Sequence, residues 1–97
     1  MTTIQLRRYD LIPELVDEFL AWFPQVVAAR QKHGFTILFA LLDRPGNEYT
    51  WAVSHEGNFD EVERVYMASP ERAAAFEGRP KYTREMYISR VEQIAFS

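Results

Sequence analysis

Four strand-forming stretches and only two helix-forming ones follow one another here, in the order strand, helix, strand, strand, helix, strand. Two helices can cover one face of a four-stranded antiparallel sheet and no more. The opposite face must then be covered by something other than the chain's own helices. A second copy of the chain is the simplest candidate, so a homodimer is expected. With 97 residues, the chain is expected to be one domain spanning 1–97.

Local signals set the elements. The first strand is predicted from Thr3 to Asp10, its alternation placing Ile4 and Leu6 on one face and Gln5, Arg7 and Tyr9 on the other. Taking Ile4 and Leu6 as the helix-facing pair sends Arg7 and Tyr9 towards the space between two paired sheets. A helix is predicted from Pro13 to His33, with Leu15, Phe19, Phe23, Val26 and Val27 as its core stripe and Gly34 closing it. Pro24 lacks an amide donor, so a bend or restart is expected there, not an end. The second strand, Phe35 to Leu42, is apolar on both faces, as a strand dry on both sides would be. A turn at Pro45-Gly46 leads to a third strand, Glu48 to His55. Asn58 caps the second helix, Ser69-Pro70 restarts it, and Gly78 ends it. Lys81 to Arg84 connects to the last strand, Glu85 to Val91, and Glu92 to Ser97 form an extended arm. The fold class read from this order is α+β and ferredoxin-like.

Composition narrows the function. A net charge of −3 with no basic run argues against nucleic-acid and anionic-membrane partners. The absence of cysteine removes disulfides, thiolate nucleophiles and Cys-ligated metal centres. No apolar run approaches the ~20 residues that span a bilayer, and the start lacks a signal core, so a cytoplasmic protein is expected. Four glycines form no phosphate loop, and neither Ser54 nor Ser69 has a base at readable spacing. No cofactor is expected. The 14% aromatic content is high enough to predict ring-lined contacts beyond one small core.

Leu6-Arg7 and Tyr9 in the first strand, Phe19 with Trp22, Pro24, His33-Gly34, Asn47-Glu48 and the closing Ile94-Ala95-Phe96-Ser97 together resemble the NIPSNAP proteins. These belong to the dimeric α/β-barrel superfamily. The resemblance covers nearly the whole chain. It departs from the family in the third strand, where Trp51-Ala52-Val53-Ser54-His55 stands in place of a polar and aromatic run. It implies a ferredoxin-like dimer. Relatives in the superfamily include cofactor-free monooxygenases, cyclases of aromatic polyketides, isomerases and haem enzymes, while NIPSNAP members are mostly assigned to trafficking or signalling, or to no role. Shared fold alone supplies no chemistry.

Three residue groups are candidates for a site. His33, His55 and Glu56 gather at one sheet end, with His55 expected roughly opposite Thr36; they offer an acid–base pair or a two-His-one-carboxylate ligand set. A structural histidine at a helix C-terminus explains His33 equally well, and no metal is expected. Arg7, Tyr9, Trp51 and Tyr82 form the second group. A shielded Arg7 needs a carboxylate, supplied by Glu48, Glu85 or an acidic ligand. In the third group, Tyr49 and Trp51 share one face beside Leu38 and Ala40, and either pack a core or line a slot for a planar molecule. The resulting assignment makes Tyr9, His55 and Tyr82 the acid–base candidates and Arg7, Tyr49 and Trp51 the substrate contacts. The leading reading is a dimeric small-molecule binder, acting as a cofactor-free monooxygenase, cyclase or isomerase on a small aromatic or acidic ligand. The rival is a non-catalytic dimerisation or protein-interaction module.

Overall fold

The computed structural model describes residues 2–96. Strand β1 (Thr2–Leu11) leads through a single 3-10 turn at Pro13–Leu15 into helix α1 (Val16–Lys32). Strands β2 (Thr36–Asp43) and β3 (Glu48–Glu56) follow, then the short helices α2 (Phe59–Met67) and α3 (Pro70–Phe76), and strand β4 (Thr83–Val91). The sheet order is β2-β3-β1-β4 and every neighbouring pair is antiparallel. This is the expected ferredoxin-like α+β arrangement. Its shortest dimension is 18 Å, the depth of one helix layer on one sheet.

The caps match the sequence signals. Asn58 Oδ1 accepts from the Glu61 amide and Ser69 Oγ from the Arg72 amide, both at 3.1 Å. Gly34 has φ +86°, a left-handed value that a side chain resists, and it lets the chain leave α1 directly for β2. Helix α1 continues through Pro24 without restarting. Ser97, the last residue of the expected arm, lies outside the described residues; Glu92 to Phe96 belong to no regular element.

The faces of β1 are the reverse of the expected ones. Gln5, Tyr9 and Leu11 are buried on the helix side, whereas Ile4 and Leu6 line a shallow groove on the open sheet face with Phe39 and Val91. Alternation alone gives two faces without saying which is inner. The aromatic partners decide it, because Tyr9 sits opposite Tyr49 and Arg7 opposite Trp51, both of them core residues. Strand β2 is apolar on both faces for two reasons. Ile37 and Leu42 pack partly on the core, while Phe39 and Leu41 point to the open face, 42% and 61% exposed. A register shift between Ile37 and Phe39 puts Leu38 in a bulge, so it does not flank Trp51; Ala40 does. Tyr87 and Val91 of β4 complete an apolar surface that no described helix covers.

Candidate functional site

The core is a lattice of rings centred on Phe19, 1% exposed, with Phe23, Tyr49 and Tyr82 at centroid distances of 5.2, 4.9 and 5.7 Å. Beside it, the helix layer stops short of the edge strand β4. Met86 and Ile88 project to the helix side, opposite Tyr9 and Arg7, yet are half exposed. The space left there is a cleft with two lobes. The first, of about 430 Å³, lies among β1, β3, β4, α1 and the two short helices; the second, of about 310 Å³, runs on past Trp22 to Tyr82. Arg7, Tyr9, Val26, Arg72, Phe76 and Met86 line both.

Arg7 stands at the centre and is 12% exposed. Its Nη1 donates to Gln5 Oε1 at 2.7 Å and its Nε to the Tyr9 hydroxyl oxygen at 2.8 Å. Its carboxylate partner is Glu63 of α2, at 3.8 Å, not Glu48 or Glu85. Glu63 also faces Arg30 at 3.5 Å and accepts from Gln5 Nε2 at 3.4 Å. One carboxylate thus serves two guanidiniums.

Arg30 is the more unusual of the two. Only 3% exposed, its guanidinium lies 4.5 Å from the Tyr66 ring centroid, 5.0 Å from Phe35 and 5.5 Å from Trp51. These ring faces attract the cation. Burial, then the like charge of Arg7, pull its pKa below the ordinary arginine value. Its Nε and the neighbouring Trp51 Nε1 are buried without a hydrogen-bond partner, a costly condition for a core that had only to be stable.

Each expected site residue has a definite place. Arg7, Tyr9 and Trp51 line the first lobe, and Arg7, Tyr9 and Tyr82 the second. The Tyr82 hydroxyl donates to Glu18 at 2.7 Å, and its ring stacks on Trp22 at 5.0 Å. Burial first, then the Glu18 contact, raise its pKa. Tyr49 packs behind the cleft in the ring lattice, and burial with the nearby Tyr9 pushes its phenol up to about 12; it lines neither lobe.

Each histidine has a partner of its own. His33 Nε2 pairs with Glu71 at 2.8 Å, His55 Nδ1 with the Gly34 carbonyl at 3.0 Å, and Glu56 takes the Thr2 hydroxyl. Thr36 faces Ser54, so His55 lies one residue beyond the expected register. His55 is at the end of β3 remote from Tyr9. No metal-holding group of His, Asp or Glu occurs among the described residues.

Arg30, Glu63 and Arg72 are among the cleft residues that sequence reasoning missed. A signal for the first existed. Phe19, Phe23, Val26 and Arg30 follow one helical stripe, so a charge occupies a core position of α1. Glu63 likewise falls between the buried Phe59 and Tyr66 of α2.

Comparison with solved structures shows the same fold across the whole chain. A NIPSNAP family protein of unknown function from Agrobacterium tumefaciens superposes with a TM-score of 0.85 at 14% identity, covering 99% of this chain and 91% of that one. An uncharacterized NIPSNAP domain protein from Burkholderia xenovorans gives 0.81 at 15%, covering 100% and 98%. A putative antibiotic biosynthesis monooxygenase from Bacteroides thetaiotaomicron gives 0.76 at 15%, covering 97% and 90%. No protein-family model and no curated protein matches the sequence. The chain is NIPSNAP-like in fold; identities this low carry the fold and not an activity.

Proposed function

We propose that this protein binds a planar organic acid in the cleft between its helices and β4, and works as a cytoplasmic homodimer closed through the open sheet face. The observation that supports this best is the Arg7–Glu63–Arg30 arrangement, two guanidiniums held against one carboxylate in the wall of a ring-lined cleft. An entering carboxylate supplies the missing counter-charge, and Trp51, Tyr9 and Phe76 offer ring surfaces to its body.

The hydroxyl oxygen of Tyr9 already accepts from Arg7. Its own proton is therefore free for a ligand oxygen, and the adjacent guanidinium favours charge developing there. That suits a cofactor-free isomerase, cyclase or monooxygenase whose substrate passes through an enolate or phenolate. Tyr82, hydrogen-bonded to Glu18, is the second proton carrier in the outer lobe. His55 has no part. The fold shared with a putative antibiotic biosynthesis monooxygenase agrees with this reading. No described helix is long and apolar enough to cross a membrane.

Arg7→Gln tests the binding claim. Removing the charge but keeping polar contacts is expected to weaken binding of 2-naphthoate by at least about tenfold in calorimetric titration. Unchanged affinity would overturn the assignment of Arg7 as anchor. For assembly, light scattering at low micromolar protein is expected to give about twice the chain mass of 11.4 kDa. A stable interface of this kind buries ~800 Å² on each partner. The open face presents Phe39, Leu41, Tyr87 and Val91 for it. The same face favours the rival reading, a non-catalytic interaction module. A dimer that binds no planar acid would support the rival, and a monomer would overturn the assembly claim.

A further inference from the structure

We infer that the ligand of this cleft carries two anionic groups on its planar body, a dicarboxylate whose second anion is held by Arg72. The inference rests on the binding reading above and goes further by fixing the ligand's charge. Arg7, Arg30 and Arg72 all line the first lobe. The other charged groups on its wall are already neutralised: Arg64 pairs with Glu61 at 2.7 Å, and Asp60 pairs with Arg90. Among the described residues of this wall, Glu63 is the one negative charge left to oppose three guanidiniums, and the surplus is two positive charges. Like charges gathered in a cleft partly shielded from water repel at short range, and an unmatched one is costly. A monoanion leaves one cation unmatched, whereas a dianion neutralises the cleft.

Arg72 is placed to take the second charge. It lines the wall common to both lobes and has no carboxylate partner among the described residues. Its guanidinium lies 4.3 Å from the Phe76 ring centroid, so it is held by a ring while its hydrogen-bond donors stay free. The Ser69 cap on the Arg72 amide fixes the start of the helix that carries it. The backbone that carries Arg72 is therefore set before any ligand arrives, which reduces the entropy lost on binding.

Calorimetric titration at low ionic strength and pH 7 with benzoate, phthalate, isophthalate and terephthalate tests the inference. The best dicarboxylate is expected to bind at least about tenfold tighter than benzoate. In Arg72→Gln, the same dicarboxylate should fall to within about threefold of benzoate measured on that variant. Glu63→Gln, which removes the competing negative charge, should tighten the dicarboxylate several-fold. Equal affinities for benzoate and the best dicarboxylate, or an advantage that survives Arg72→Gln, would overturn the second anionic subsite. If benzoate binds through Arg7 without any dicarboxylate advantage, the cleft reading stands and only the second charge falls. If none of the four acids binds, both readings fall together.

Discussion

Phe19→Ala is expected to remove on the order of 4 kcal/mol of stability, the upper part of the range for truncating a buried aromatic ring. Phe19 is 1% exposed and meets five rings, Tyr9, Trp22, Phe23, Tyr49 and Tyr82, with centroids between 4.9 and 6.3 Å away. Four of these contacts are edge-on, which lets the positive rim of one ring meet the negative face of another. The loss therefore includes directed ring contacts as well as transfer energy. The five neighbours come from β1, α1, β3 and the connector before β4, so no single element can collapse into the void. A domain of this size has roughly 5–15 kcal/mol in total, and the melting temperature should drop on the order of 20 °C. Phe76→Ala is the control. That ring is 36% exposed on the cleft wall, and its removal should cost roughly 1 kcal/mol. Urea unfolding of both variants checks the contrast, and a loss near 1 kcal/mol for Phe19→Ala would show that the ring lattice is not the stabilising centre.

The fold was legible because its signals are local. Asn58, Ser69-Pro70, Gly34 and Pro45-Gly46 mark element ends by their own backbone chemistry, and the order of elements leaves few topologies. The site was half legible. Tyr9, Tyr82, Arg7 and Trp51 do line one cleft, whereas His55 lies at the other end of the β1–β3 pair. The face of β1 was misread because hydrophobicity was taken as the sign of the inner side. In this molecule Ile4 and Leu6 lie on a sheet face left bare by the chain's own helices, while the inner face carries the polar residues of a cleft. Arg7 is shielded and paired as expected, but on the opposite face and with Glu63. That partner depends on how α2 packs across the sheet, which no local spacing encodes. Arg30 was passed over for its position near the end of α1, although its place on the apolar stripe argued for burial.

Arg30→Met separates a structural arginine from a functional one. Methionine matches the length of the arginine stem and packs well against rings, here Phe35, Trp51 and Tyr66. The substitution removes a guanidinium whose Nε has no partner, and it relieves the repulsion from Arg7. Glu63 is not orphaned, because Arg7 at 3.8 Å and Gln5 at 3.4 Å remain with it. Replacing a buried charge by an apolar side chain of similar volume, with the opposite charge still matched, is often neutral or stabilising. Stability is therefore expected to hold or rise by about 1 kcal/mol. Binding of a planar acid should move the other way, weakening on the order of a hundredfold as the cleft loses one of its two inner cations. Stability kept in conflict with function is the usual sign of a site. Denaturant unfolding and calorimetric titration of the one variant give both numbers. A Met variant that unfolds more easily and binds as before would make Arg30 a structural residue and leave Arg7 as the sole inner anchor.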